Sequence, residues 1–411
     1  MFSSLCQYRE CCHMDDEPKT VKELLVELKD ASELMVDLAY AAVFFNEEKL
    51  AREVDRLEER MNGHLRRLRI MAMLAARSPE DAEGMAGVLW IADAIERIGD
   101  AASDIARVVA ARLGIPDALR HDLRHADEMT ARVKIRSDAP SAGRTLRDLS
   151  LPTETGMWVM AIRSGMDWRF DPGPDDVVSE HDVLLVRGPE EGVNLVRELA
   201  GAAPLAQVEG DDIPALSELD RAVDILVEMK DLAEAAVGLA YSSLLFNNRS
   251  LAAEVGALEA RSDILHDELE SWVLRAAPEA RNPDELRGLL RLASASEYVC
   301  DSARDMTWYV EHGEPLHPVV QMALEETEET FAETVVEEGS NADGTSLRDL
   351  RVETETGMFV LAVQRGSRWT YRPRAGFVLK AGDRVISVGP EEGEEELLEL
   401  CSAGRPVGVE G

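Results

Sequence analysis

One unit of about 200 residues is written twice in this 411-residue chain, at an offset of 201. Lys29-Asp30 returns as Lys230-Asp231, Leu38-Ala39-Tyr40 as Leu239-Ala240-Tyr241, and Phe45-Asn46 as Phe246-Asn247. Farther on, Leu146-Arg147-Asp148-Leu149 returns as Leu347 to Leu350, Thr153 to Met157 as Thr354 to Met358, and Gly188-Pro189-Glu190-Glu191-Gly192 as Gly389 to Gly393. A repeat of this length is a whole-unit duplication and not a short-period solenoid. The fold must therefore be two copies of one architecture.

The hydrophobic period changes inside each unit. Leu24, Leu25, Leu28, Met35, Leu38, Ala39 and Ala42 recur at helical spacing. A second helix is expected from about Glu47 to Ala76, and a third from Ser78-Pro79-Glu80-Asp81, a capping signal, to near Gly114. A fourth, shorter helix is expected from Asp117 to about Arg132. Then Val133-Lys134-Ile135, Trp158 to Ile162 and Val183 to Val186 alternate as strands. Helices are expected over Ser141–Leu149 and Pro189–Leu199. The predicted fold class is α+β and multidomain: antiparallel helical bundles alternating with small β-α-β-β-α domains, internally duplicated. The expected boundaries are an N-terminal extension (1–17), helical half 1 (18–131), α/β domain 1 (132–202), a linker (203–217), helical half 2 (218–332), α/β domain 2 (333–403) and a tail (404–411).

Charge restricts the partners. Eighty acidic residues against 44 basic ones, only seven of them Lys, leave −36. Such a charge repels phosphate backbones and argues against nucleic acid. The acids are interspersed with periodic apolar residues, so they do not read as disorder. A very salty cytoplasm is the simplest setting, because at molar salt the Debye length falls to about 3 Å and self-repulsion is screened. The composition therefore points to a halophilic archaeon. No apolar run approaches the roughly 18 residues of a membrane helix, and the N-terminus lacks signal-peptide order. The expectation is a cytoplasmic protein without direct membrane insertion, peripheral only through a transporter partner. Five Cys do not make a disulfide framework. Cys6, Cys11 and Cys12 cluster beside His13 at a spacing that matches no familiar zinc pattern, and an unstructured extension is the simpler reading.

Glu96, Asp100 and Asp104 fall at i, i+4, i+8, a single helical stripe, and Glu297, Asp301 and Asp305 repeat it. Carboxylates on facing helices are what a hard or borderline cation needs; in so acidic a chain the same spacing also fits a solvated face. The stretch Asp93 to Ala106, with its Glu-Arg-Ile-Gly-Asp core, resembles the helix of the PhoU family. Glu58 and Glu259 sit where that family places acids on the preceding helix. The resemblance implies two three-helix halves in one body, a divalent or iron-type metal ion on the acidic faces, and phosphate regulation. Ser294, Tyr298 and Cys300 replace the equivalents of Asp93, Arg97 and Gly99, which weakens the match in the second unit.

The α/β stretch resembles the TrkA C-terminal domain, also called the RCK C-terminal domain. Ser141, Gly143, Leu146, Leu149, Thr155, Gly156, Val159, Ala161, Ile162, Pro172, Asp182, Leu184 and Gly188 carry the likeness. The second copy repeats it at Leu347, Leu350, Gly357, Val360, Ala362, Pro373, Asp383 and Gly389. The resemblance implies paired domains, within the chain or in a homodimer, that take cyclic di-AMP or another small ligand. On the residues alone, Gly156 and Gly188 read as strain relief at strand ends, Asp182 and Asp383 as turn-fixing acids, and Trp168 and Trp369 as core or interface anchors. No Gly-x-Gly-x-x-Gly, P-loop, Gly-x-Ser-x-Gly or His-Glu-x-x-His occurs. NAD is therefore not implied, and no motif supports an enzyme. The expected function is a regulatory subunit of cation transport, of potassium first, acting on a membrane channel or transporter. The alternative is a metal-binding regulator of phosphate transport.

Overall fold

The computed structural model describes residues 19–403 apart from 115, 117, 118, 120–128, 166, 205–217, 279–282, 328 and 367. Cys6, Cys11, Cys12 and His13 lie outside the described residues.

Helix α1 (Val21–Phe45) opens on a capping box: the Thr20 side chain accepts from the Glu23 amide, and Glu23 accepts from the Thr20 amide. It closes on Asn46 in the left-handed conformation, φ 49°. Helix α2 (Glu48–Ala75) follows, then α3 (Pro79–Ala110), whose cap is Ser78 ahead of Pro79. Leu28 and Leu38 of α1, Leu50, Val54 and Leu68 of α2, and Ile91, Ile98 and Ile105 of α3 are fully buried on facing stripes. Each buried side chain of this size contributes about 2 kcal/mol.

The α/β part holds β1 (Met129–Lys134), α4 (Leu146–Leu149), α5 (Leu151–Thr155), β2 (Trp158–Ser164), β3 (Asp167–Phe170), β4 (Val183–Gly188) and α6 (Glu190–Leu199). The sheet is antiparallel, in the order β1-β4-β2-β3. Two expectations are corrected here. The fourth helix cannot reach Arg132, because Met129 to Lys134 pairs along β4 with Arg132 opposite Leu185. The helix expected over Ser141–Leu149 shrinks to α4, since Gly143 (φ 81°) and Ser150 (φ 43°) take left-handed backbone that a helix excludes. Strand β3 was not anticipated, although Trp168 and Phe170 alternate on it and stack at 5.7 Å.

Each sheet buries both faces. Val133, Ile162, Leu184 and Val186 pack with Val193 and Val196 of α6. Ala161 and Leu185 join the core of the helices instead, as does Met160, at an irregularity in the β2–β4 register.

The second unit repeats the plan as α7 (Glu218–Leu245), α8 (Arg249–Ala276), α9 (Pro283–His312), α10 (Pro318–Leu324), β5 (Thr330–Val335), α11 (Leu347–Leu350), α12 (Val352–Thr356), β6 (Phe359–Arg365), β7 (Arg368–Tyr371), β8 (Arg384–Gly389) and α13 (Glu391–Cys401). Its sheet order, β5-β8-β6-β7, is the same. Helices α3 and α9 pack along each other and fuse the two halves into one helical body with a continuous core. Helix α5 packs on α12, so the two α/β domains pair within the chain. Among the described residues no helix is long and apolar enough to cross a membrane.

Candidate sites at the acidic stripes and the domain junctions

The expected acidic stripes lie where α2 faces α3 and α8 faces α9, but the two faces differ. In the first unit Ser103 Oγ donates to Glu58 Oε2 at 2.9 Å, and Arg107 lies 2.7 Å from Asp104 and 3.7 Å from Glu58. Partial burial pushes the Asp100 carboxyl up, and the charges of Glu58 and Asp104 add to it. Glu96 is pushed up by burial and then by Asp100.

In the second unit, oxygens of Glu259, Asp263 and Asp301 all lie within 4.8 Å of one another. Among the described residues this is the group of three with metal-holding geometry. Burial first, then Glu297, Glu259, Asp263 and Asp305, push Asp301 up to about 6. Arg304 offsets part of the charge, at 2.6 Å from Glu259. Three carboxylates fit a hard cation such as Mg, Ca or Mn. The other two stripe residues hold partners of their own: Glu297 lies 3.0 Å from His266 Nδ1, and Asp305 pairs with Arg97 of the other half at 2.8 Å. Asp263 lies outside the expected stripes: its counterpart in the first unit is Asn62, so the acid is not repeated. Its position one turn after Glu259 on α8 was the available signal.

The Gly99-to-Cys300 difference has a packing cause. A Cβ at Gly99 would sit 2.7 Å from Met61 Sδ. In the second unit Met61 is replaced by the smaller Ser262, and Cys300 fills the space, its thiol pushed up to about 12 by burial. The exchange leaves the carboxylates on α8 and α9 untouched.

The repeated lysines are internal. Lys29 lies 2.6 Å from Glu33 and Lys230 lies 2.7 Å from Glu234, and both lysines are buried. Each crosses to the other half, Lys29 over the Tyr241 ring at 5.8 Å and Lys230 over Tyr40 at 5.5 Å. Burial works against both charges, but the acids beside them hold the lysines protonated. Arginines from the α/β domains reach the same layer. Arg187 of β4 lies 3.2 Å from Asp37 of α1 and also pairs with Glu329, ahead of β5. Arg372, just past β7, donates to Glu234 of α7 at 2.6 Å. Arg132 adds a third tie, its guanidinium 4.1 Å from the Phe45 ring and 5.8 Å from Trp168, which makes Trp168 an anchor between sheet and helices.

The two α/β domains meet almost backbone to backbone. A Cβ at Gly156 would lie 2.4 Å from the Glu353 carbonyl, and one at Gly357 would lie 2.4 Å from the Pro152 carbonyl. Both glycines also hold left-handed backbone, φ 71° and 70°, so they serve the turn and the seam together. Beside the seam is a cavity of about 240 Å³ lined by Glu191, Leu195, Arg348, Arg351 and Glu353. Asp182 accepts from the Ser179 amide at 2.8 Å and Asp383 from the Lys380 amide at 2.9 Å, the turn-fixing bonds expected of them.

Comparison with known proteins agrees with this division. The model of the PhoU domain matches residues 25–109 and 226–309, and that of the TrkA-C domain matches 130–201 and 331–402. Among solved structures, PhoU from Pseudomonas aeruginosa is similar at 14% identity, over 71% of this chain and 96% of that one, TM-score 0.39. The phosphate transport system regulatory protein PhoU from Streptococcus pneumoniae follows at 10% identity, over 72% and 96%, TM-score 0.37. The GsuK RCK domain matches at 15% identity, over 67% and 64%, TM-score 0.17. These superpositions are poor over the whole chain, so the domain matches carry the assignment. This chain carries two PhoU domains and two TrkA-C domains in alternation.

Proposed function

We propose that this protein is a cytoplasmic regulator of transmembrane cation transport, of potassium first, that reads a small ligand through its paired TrkA-C domains. The observation that carries the reading is the pair of arginine pins. Arg187 and Arg372 each run from a TrkA-C domain into the acidic layer of the PhoU body, to Asp37 and to Glu234. A ligand that changes the seam at Gly156 and Gly357 then changes both attachments. Its differential affinity for two arrangements of the seam supplies the switching energy, and the PhoU body passes the change to a membrane channel or transporter. Arg348 and Arg351 beside the seam suit an anionic ligand such as cyclic di-AMP. Calorimetry with cyclic di-AMP in multimolar KCl tests that ligand; absence of heat, with no shift in melting, removes it. Co-purification with a cation channel tests the partner.

A second reading is a metal-binding regulator of phosphate transport. The triad Glu259, Asp263 and Asp301 favours it. Gene neighbourhood separates the two: a cation channel or antiporter supports the first reading, a phosphate permease the second. Elemental analysis of the wild type beside Asp301→Ala and Asp100→Ala tests the metal in each unit.

A further inference from the structure

The two units neutralise equivalent acids by different means. In the second, Glu234 accepts from Lys230 at 2.8 Å and from Arg372 at 2.6 Å. Arg372 is only 8% exposed and lies over the Phe359 ring at 4.8 Å. In the first unit Lys29 still holds Glu33, but the residue at the place of Arg372 is Asp171. The two positions match in structure as well as in number. Asp171 and Arg372 both hold positive φ, 50° and 39°. Their amides donate to equivalent carbonyls, of Met160 at 3.0 Å and of Leu361 at 2.8 Å.

In place of an inserted side chain, the first unit has a cavity of about 570 Å³ between α1, α2 and the first sheet. That is the size of a small-molecule site and far larger than a bare ion needs. Glu33, Asp37 and Asp171 line it, with Arg187. Arg60 and Arg67 of α2 also line it, Arg60 on the exposed side, both close enough to bear on the charge of His64 in the same wall. The side chain of Asp171 has no partner among the described residues. Burial pushes Glu33 up to about 7 although Lys29 pulls it down, whereas Lys230 and Arg372 hold Glu234 down to about 2 against its burial. Glu33 lacks the second cation that its twin possesses.

We propose that this cavity binds a small zwitterion whose guanidinium or primary ammonium group sits against Glu33 and Asp171, as the guanidinium of Arg372 sits against Glu234, and whose carboxylate meets Arg60 and Arg67. The basic residues of the wall disfavour a polycation, and the acids disfavour a simple anion. The site is separate from the seam between the TrkA-C domains and does not depend on what binds there.

L-arginine is the probe, titrated calorimetrically into the full chain in molar NaCl. One equivalent is expected to bind. Agmatine, which lacks the carboxylate, and citrulline, whose side chain ends in an uncharged urea so that its remaining α-ammonium stands beside the carboxylate and cannot reach Glu33 while the carboxylate meets Arg60 and Arg67, are expected to bind at least tenfold more weakly. Asp171→Arg supplies the missing guanidinium internally, sits at an exposed position that tolerates the change, and is expected to lose at least tenfold in affinity. Three results would overturn the proposal: no arginine binding by the wild type at millimolar concentration, unchanged binding by Asp171→Arg, or stabilisation by KCl over NaCl with no response to arginine.

Discussion

Arg372 Nη1 lies 2.6 Å from Glu234 Oε2, so one guanidinium from the second TrkA-C domain is buried in the acidic layer of the PhoU body. Removing it strands a desolvated carboxylate. Arg372→Ala should lower stability by about 2 kcal/mol, less than a buried pair broken outright because Lys230 still reaches Glu234. Glu234→Gln in the same background should recover part of that loss, since the stranded charge is gone. Urea midpoints of the two variants check this, and a double variant no more stable than the single one would refute it.

The seam makes a different demand. Gly357→Ala places a methyl 2.4 Å from the Pro152 carbonyl and strains a backbone held at φ 70°. A loss of about 2–3 kcal/mol is expected. Helix content should persist while the α/β domains separate, which small-angle scattering reads as a larger radius of gyration. Gly165→Ala, also at positive φ but with open space around it, should cost less and leave the radius unchanged.

Much of this was legible in the sequence. The helices followed from apolar spacing and caps such as Ser78-Pro79, and the strands from alternation. What escaped depended on contacts between distant segments. Nothing local in Lys29-Asp30 says that the lysine is buried, although two of only seven lysines standing at repeated positions was a clue. Gly156 read as relief at a strand end, because its second role belongs to Glu353, about 200 residues away. Strand β3 is four residues long, too short for alternation to stand out. Glu297 and Asp305 are repeated in the first unit as Glu96 and Asp104, whereas Asp263 has only Asn62 opposite it, so the duplication carries no signal for the third member of the triad.

The Met61–Gly99 contact and its Ser262–Cys300 counterpart predict a compensating pair. Gly99→Cys alone should cost about 1–3 kcal/mol by overpacking. Combined with Met61→Ser it recreates the packing of the second unit, and the double variant should be more stable than the sum of the single effects by more than about 1 kcal/mol. A double-mutant cycle from chemical denaturation measures this; strict additivity would show that the two residues do not share the space.

The acidic triad makes the last prediction. Asp301 is raised to about 6 from an ordinary value of 3.8, by burial and then by the acids around it. Between those values the folded chain holds a proton that the unfolded chain has lost. The stability this contributes is therefore present below about pH 4 and disappears as pH rises through about 6. A shift of this size is nominally about 3 kcal/mol, and solvent screening on a half-exposed face reduces it to about 1 kcal/mol. A bound cation reverses the sign, because it needs the deprotonated carboxylate. Mn²⁺ should thus raise the melting temperature at pH 7.5 and have little effect at pH 5. Asp263→Ala should remove the metal response, and Asp301→Asn should remove both the metal response and the pH dependence of the metal-free protein. Asn62→Ala, at the equivalent place in the first unit, should change neither. Calorimetric melting at the two pH values, with and without Mn²⁺, decides the matter. An undiminished Mn²⁺ response in Asp263→Ala would move the metal elsewhere on the chain.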